Sequence, residues 1–265
     1  MGPPILYKIP MATGTLFWFF YLGFVWIFFA GLAEYLLVVP LCLLGFIYEP
    51  AWGLATRINS WVFRMVLACQ PWFRARVRIQ LPAAVAAHEQ GCLVVANHRS
   101  HLDVFVLFRE ITHLRIVAKR MLFFLPLYGH MFFLLRMIPQ ARGDLSSYFR
   151  AMERVGEGLR RGHRVHVFPE MTRCERGATD LGRFHTAPFQ AAREAGVPIL
   201  PIVFSGTDRF WAKGSQRISH SPPAQIESLE PVDPRAFASA EALAEYVRLK
   251  ITERLQILMA QEASV

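Results

Sequence analysis

A polar block, Asn97-His98-Arg99-Ser100-His101-Leu102-Asp103, lies between two apolar runs, and that setting constrains the chain more than any other feature. The run before it, Cys92 to Ala96, has the texture of a strand buried on both faces of a parallel sheet. The run after it, Val104 to Phe108, opens a helix. Strand, turn and helix together put the block at a strand's carboxyl end, where open α/β sheets hold their ligands. His98 and Asp103 are five residues apart, which in a regular helix turns them roughly 140° away from each other. They meet only if the chain bends between them, with Asp103 capping or opening the helix. A base steadied by a carboxylate at such a bend is an arrangement for removing a proton from a hydroxyl. His101 is a second candidate for that base.

From Val77 onward, short apolar runs alternate with helical patterns. Strands are predicted at Val77 to Leu81, Leu93 to Ala96, Leu114 to Ala118, Val165 to Phe168, Ile199 to Phe204 and Gln225 to Leu229. Helices are predicted at Tyr148 to Arg161, Phe184 to Ala195 and Ala240 to Met259. The last places Leu243, Val247, Ile251, Leu255 and Leu258 on one face. This alternation predicts an α/β fold, a mixed and largely parallel sheet flanked by helices. Met121 to Leu135, with Phe123, Phe124, Phe132 and Phe133, reads as a buried helix, with a membrane-facing patch as the alternative.

Residues 15 to 48 carry one charge, Glu34. Leu16 to Ala33 is close to the length that spans a bilayer, so an N-terminal membrane-embedded helical segment is expected. The apolar run continues from Leu36 to Ile47, too far for a signal peptide. A buried core helix is the plainer alternative. Gly31, Glu34 and Pro40 interrupt the run, which leaves open one span or a hairpin dipping into one leaflet. Only Lys8 precedes it, whereas Arg57, Arg64, Arg74, Arg76 and Arg78 follow, which predicts a catalytic domain on the cytoplasmic face. Residues 52 to 70 read as an amphipathic helix at headgroup level. The expected division is 1–75 for membrane-anchoring helices and 76–265 for the chemistry.

The chain is 54% apolar and 18% charged, with a net charge of +9. That balance suits an anionic membrane surface or a phosphorylated substrate. Nucleic acid fits the charge, but the arginines are dispersed and the greasy N-terminus calls for lipid. Cys42, Cys69, Cys92 and Cys174 are scattered without a CxxC pair, so neither a disulfide framework nor a zinc site is expected. His163 and His166 would face opposite sides of a strand, which spoils a shared metal site. No GxSxG elbow, Walker motif or GxGxxG after a strand occurs.

Four blocks carry a resemblance. NHRSHLD, with its embedded HxxxxD, resembles the first motif of the glycerophospholipid acyltransferases, the family of 1-acylglycerol-3-phosphate acyltransferases. Phe168-Pro169-Glu170-Met171-Thr172-Arg173 resembles that family's FPEGTR motif, with Met171 in place of the usual glycine. If that position needs a positive φ, the side chain costs roughly 1–2 kcal/mol; if not, Met171 lines or narrows the site. Ile138-Pro139-Gln140-Ala141-Arg142 resembles the second motif, with Ala141 where an acidic or amide residue is usual. Val197 to Ile202 resembles the fourth, a strand walling an acyl pocket. Arg183 to Phe189 and Ser205-Gly206-Thr207 also resemble family segments, and the likeness spans about residues 77 to 215.

The resemblance implies an O-acyltransferase that moves a fatty acyl group from acyl-CoA or acyl carrier protein to the free, sn-2, hydroxyl of a lysophospholipid, foremost lysophosphatidate. It selects His98 as the base and Asp103 as its orienting acid. Arg142, Glu170, Thr172 and Arg173 would hold the acceptor, while Asn97 or backbone N–H groups stabilise the oxyanion and Ser100 completes the binding turn. A structural Glu170–Arg173 ion pair is compatible with that role. No cofactor and no metal are implied. The expected partners are the lipid and thioester substrates, the membrane and an acyl carrier protein as one form of donor. The alternatives are another lysolipid headgroup, a membrane-bound thioesterase and a silent lipid-binding protein.

Overall fold

The computed structural model describes residues 32, 34–68, 77–81, 91–125, 129–210, 212–214 and 224–263. Seven strands form one sheet: β1 (Val77–Gln80), β2 (Leu93–Ala96), β3 (Leu114–Lys119), β4 (Ile138–Gln140), β5 (Arg164–Val167), β6 (Ile199–Ser205) and β7 (Ala224–Ser228). Their order is β1-β7-β6-β2-β5-β3-β4. Every pairing is parallel except β6 with β7, so the sheet is mixed and largely parallel. Each predicted strand is present to within a residue of its predicted ends. β4 is the addition: its Ile-Pro-Gln is too short to announce itself, and Pro139 suits it to the sheet edge that it occupies.

The strands interleave with α3 (Leu102–Glu110), α4 (Gly129–Leu134), α5 (Leu145–Arg160), α6 (Ala187–Ala195), the short α7 (Thr207–Phe210) and α8 (Ala240–Ala263). Before them come a π-helical turn (Glu34–Val38), α1 (Val39–Gly45) and α2 (Glu49–Ala68). Alternation along β2 divides the core. Val94 and Ala96 face a layer that includes Phe63, Val106, Leu107 and Met131. Leu93 and Val95 face Val155, Leu159, Phe189 and the stripe Leu243, Val247, Ile251, Leu255 and Leu258 predicted on α8. All four β2 side chains are fully buried, each aliphatic one worth about 1.5–3 kcal/mol of transfer free energy, which secures the strand that carries the polar turn. Asp144 caps α5 by accepting from the Ser147 N–H at 3.0 Å.

One expectation lies outside the described residues and another needs correction. The run Leu16 to Ala33, expected to be membrane-embedded, lies outside the described residues except for Leu32, and among the described residues no helix is long and apolar enough to cross a membrane. The residues after it form a helical hairpin that packs on the sheet: Val38, Cys42, Trp52, Ala55, Phe63 and Leu67 share a core with α3. The amphipathic helix expected at 52–70 is present as α2, with Trp52, Ala55, Asn59, Val62, Phe63 and Val66 buried and Trp61 and Met65 exposed. The correction concerns 121–135, which is not one buried helix. It divides into a 3₁₀ turn (Arg120–Phe124) with no buried residue and α4, where Met131 and Leu134 are buried. Met121, Phe124, Leu125 and Phe133 stay exposed.

Candidate active site

The turn after β2 makes the bend that the sequence demands. Asp103 is the second residue of α3, and its carboxylate reaches back over the turn. Oδ2 accepts from the backbone N–H groups of Arg99 and Ser100, both at 2.7 Å, and lies 3.0 Å from His98 Nδ1. Oδ1 accepts from the Thr207 hydroxyl at 2.7 Å. Asp103 and Thr207 are fully buried. Four donors on one carboxylate fix its position, and with Nδ1 bearing the proton toward Asp103 the lone pair of His98 falls on Nε2. The His98 ring lies flat on Phe168, centroids 3.8 Å apart. Choosing between the two histidines is now straightforward: His98 meets the acid. His101 lines the same cavity, and burial with the nearby Arg173 and His98 pushes its imidazole down to about 4.

A cavity of about 710 Å³ opens beside this pair. Phe63, Phe105, Phe108, Ile116, Met131, Phe132 and Leu135 form its apolar walls. His98, Lys119, Gln140, Arg142 and Arg173 bring polar groups to it, and Met171 completes the wall among them. An apolar chamber with a few convergent polar groups is the form of a small-molecule site. Arg142 is exposed, with a long contact of 3.5 Å to the Met171 carbonyl. Arg173 has a buried Nη1 with no partner. Burial and the Arg142 charge push its guanidinium below the ordinary range. Neither guanidinium makes an ion pair among the described residues, although the Asp103 charge acts on Arg173, and two such cations side by side suit an anion.

Several predicted site residues serve the frame instead. The Asn97 amide donates to the Phe204 carbonyl at 2.9 Å and accepts from the Phe204 N–H at 2.8 Å, stitching β2 to β6. One amide hydrogen and the amide oxygen are thereby used within the sheet. The backbone N–H groups of His98, Arg99 and Ser100 are committed to Glu170 and Asp103, so these three donors are occupied. The Ser100 hydroxyl is buried and accepts from Leu102 N–H at 3.3 Å. Glu170 does not pair with Arg173. Its Oε1 accepts from His98 N–H and its Oε2 from Gly182 N–H, each at 3.1 Å, tying the catalytic turn to the loop after β5. Burial pushes the Glu170 carboxyl up. Thr172 is exposed and does not line the cavity.

Sequence reasoning missed a second brace. Arg99, almost wholly buried, donates through Nε to Asp208 at 2.8 Å and through Nη1 to the Ala178 carbonyl at 2.9 Å. Asp208 Oδ2 accepts from Gly177 N–H at 2.8 Å. Burial works against the Asp208 charge, but the Arg99 guanidinium outweighs it and holds the carboxyl below its ordinary range. Lys119 and Gln140 also line the cavity and were not singled out: Lys119 follows a predicted strand, and Gln140 lies on a strand too short to announce itself.

A family model described as Acyltransferase matches residues 76–205, the stretch that carries β2, the polar turn, both arginines and β6. Over those residues the chain is similar to that acyltransferase family. It is 29% identical over 167 residues to a chloroplastic 1-acyl-sn-glycerol-3-phosphate acyltransferase of Brassica napus, covering 63% of this chain and 47% of that one. With the 1-acyl-sn-glycerol-3-phosphate acyltransferase of Pseudomonas aeruginosa it shares 28% over 158 residues, 59% of this chain and 57% of the other. With the beta form from Homo sapiens the identity is 30% over 152 residues, 57% and 54% of the two chains. The chain thus spans about half the length of the curated relatives it matches. The crystal structure of the 1-acyl-sn-glycerophosphate (LPA) acyltransferase PlsC from Thermotoga maritima superposes with a TM-score of 0.76, over 95% of this chain and 98% of that one, at 24% identity. That likeness extends the shared acyltransferase fold to nearly the whole chain.

Proposed function

We propose that the chain transfers a fatty acyl group from a thioester, acyl-CoA or acyl carrier protein, to the sn-2 hydroxyl of a lysophospholipid, foremost lysophosphatidate. One observation carries the reading: the His98–Asp103 pair, 3.0 Å apart, sits at an apolar cavity also lined by Arg142 and Arg173, which make no ion pair among the described residues. The names of the family relatives, 1-acyl-sn-glycerol-3-phosphate acyltransferases, point to the same acceptor.

The chemistry follows from where the protons are. The acceptor hydroxyl gives its proton to His98 Nε2 as its oxygen attacks the thioester carbonyl. Asp103, itself held by four donors, stabilises the imidazolium that results. As the tetrahedral intermediate collapses, the C–S bond breaks and the departing thiolate takes the proton back from Nε2. The products are an ester and a free thiol, with His98 returned to its starting state. No acyl-enzyme forms on this route. Arg142 and Arg173 hold the acceptor's phosphate, and the apolar walls take acyl chain.

A membrane is the natural place for this reaction. Each methylene kept from water is worth about 0.8 kcal/mol, so a long-chain lysolipid stays in the bilayer and the site must come to it. Support for such docking comes from the hairpin: Leu36, Phe46, Ile47, Tyr48 and Trp61 are exposed, with the exposed Arg57 and Arg64 on the same element as Trp61. We place the catalytic domain on the cytoplasmic face, and residues 1–75 serve as the anchoring part of the chain.

The deciding experiment incubates purified protein with a panel of lysolipids and both thioester donors and reads products by mass. Phosphatidate formed from lysophosphatidate, with matching thiol release, is expected. Free fatty acid made without need of an acceptor would instead mark a thioesterase, and lipid binding without thiol release a silent binder.

A further inference from the structure

Three non-glycine residues among those described hold a positive φ: His113 at 58°, Arg136 at 57° and Met171 at 56°. The first two lie just before β3 and β4, at the amino ends of strands parallel to β2 and so away from the polar turn at its carboxyl end, and both engage Trp52. The His113 ring meets it edge-on at 5.8 Å, and the Arg136 guanidinium sits 4.7 Å from its centroid while also bonding Glu49 at 2.8 Å. Their backbone cost is offset by contacts of their own. Met171 has no such ring or ionic contact. Its N–H donates to the Phe168 carbonyl at 3.0 Å, a bond that glycine would make equally well at this φ and without the Cβ penalty. What glycine would lack is the thioether side chain, and that side chain lines the catalytic cavity with His98, Arg142 and Arg173. A strained residue kept at a cavity wall is evidence of a task there.

We propose that Met171 is a specificity-determining residue whose side chain fills the space beside the Arg142–Arg173 pair, admitting a lysolipid that ends in a phosphate monoester and turning away one whose phosphate carries a further headgroup. This inference rests on the acyl-transfer reading above. A monoester dianion offers three non-bridging oxygens to the two guanidinium groups and ends there. A diester offers two, carries one charge fewer, and must lead its headgroup out past the Met171 side chain. Methionine is flexible, so the exclusion is graded rather than absolute. A wall of a few methylenes discriminates by roughly ten- to two-hundredfold.

The test uses the full chain with one thioester donor and an equimolar mixture of lysophosphatidate and lysophosphatidylglycerol of the same acyl chain, the product ratio giving relative kcat/KM. Met171→Ala removes the wall and keeps a Cβ at this φ, Met171→Gly removes both, and Met171→Leu keeps the bulk. Thermal melts establish that each variant is folded. The expected result is a rise of about tenfold or more in relative use of lysophosphatidylglycerol for both Ala and Gly, with Leu close to the parent. An unchanged ratio in Ala and Gly, alongside parent activity on lysophosphatidate, would overturn the role of Met171 and leave the acyl-transfer reading standing. A change in Gly alone would overturn it too, by assigning the effect to backbone conformation. A parent that acylates neither lysolipid would remove both readings.

Discussion

The turn at residues 97–103 and the rim formed by Arg142, Met171 and Arg173 border the same cavity and are built in opposite ways. In the turn almost every polar group is used. Asp103 takes four donors, Asn97 clamps Phe204 through both ends of its amide, and Glu170 holds the His98 N–H from the neighbouring loop. On the rim, Arg173 has an unpartnered buried nitrogen, Arg142 makes one long contact, and Met171 holds a φ that glycine would suit better. The turn has its geometry before substrate arrives, as preorganised proton transfer requires. The rim has charges that only an incoming anion completes. On the proposed reading, one region serves chemistry common to any acyl acceptor and the other serves the choice among acceptors.

Breaking the turn should have the largest effect. His98→Ala is expected to lower acyl transfer by at least about a hundredfold, within the ~10²–10⁴ range of general acid–base help, with the variant still folded. Turnover near that of the parent would remove His98 as the base. The rim should fail differently. Arg173→Ala removes charged hydrogen bonds worth roughly 1.5–3 kcal/mol, so the acceptor KM should rise about ten- to a hundredfold while the donor KM holds. An effect confined to the thioester would contradict the contrast drawn between the two regions. Thr207→Val keeps the shape and deprives Asp103 Oδ1 of its donor; a loss of about 2 kcal/mol is expected, seen as lower stability and a modest fall in kcat. Urea midpoints that match the parent would show that the turn tolerates a missing brace.

The smallest effect concerns pH. Burial, with His98 nearby, pushes the enclosed His166 down to about 3, and burial with Arg115 pushes His163 down to about 4. The unfolded chain takes up protons on both below about pH 6.5, whereas the folded chain does not until those lower values. Stability should therefore be full above about pH 6.5 and fall as the pH drops toward 4. Urea midpoints across that range check the slope, and His166→Leu should make it shallower. A flat profile would mean that these rings are not held neutral by the fold.

Much of this arrangement was legible in the chain. The strands could be placed because a buried parallel strand has to be a short, continuous apolar run, and a period of 3.6 on α8 marks its buried face. His98 and Asp103 could meet only across a bend, but with His101 also in the turn it was the family resemblance that chose His98 as the base. Asn97 and Glu170 were legible as polar residues at strand ends, but their partners, Phe204 and Gly182, are distant in sequence. Nothing local distinguishes a side chain that binds substrate from one that binds a neighbouring strand. Arg99 and Asp208 escaped for the same reason: 109 residues separate them, and each alone resembles a solvated surface charge.

By itself, then, the sequence determined where strands and helices alternate, which turn carries the base and its acid, and that Met171 stands out against its surroundings. Those are properties of neighbours along the chain, set by periodicity and by the steric limits of a few consecutive residues. Only the tertiary structure decided that Asn97 and Glu170 are braces, that Arg142 and Arg173 come together, that Met171 takes a left-handed φ, and that the hairpin 34–68 shares the sheet's core. These are settled by packing between segments that meet only once the sheet has assembled, when each buried polar group must find a partner or remain without one.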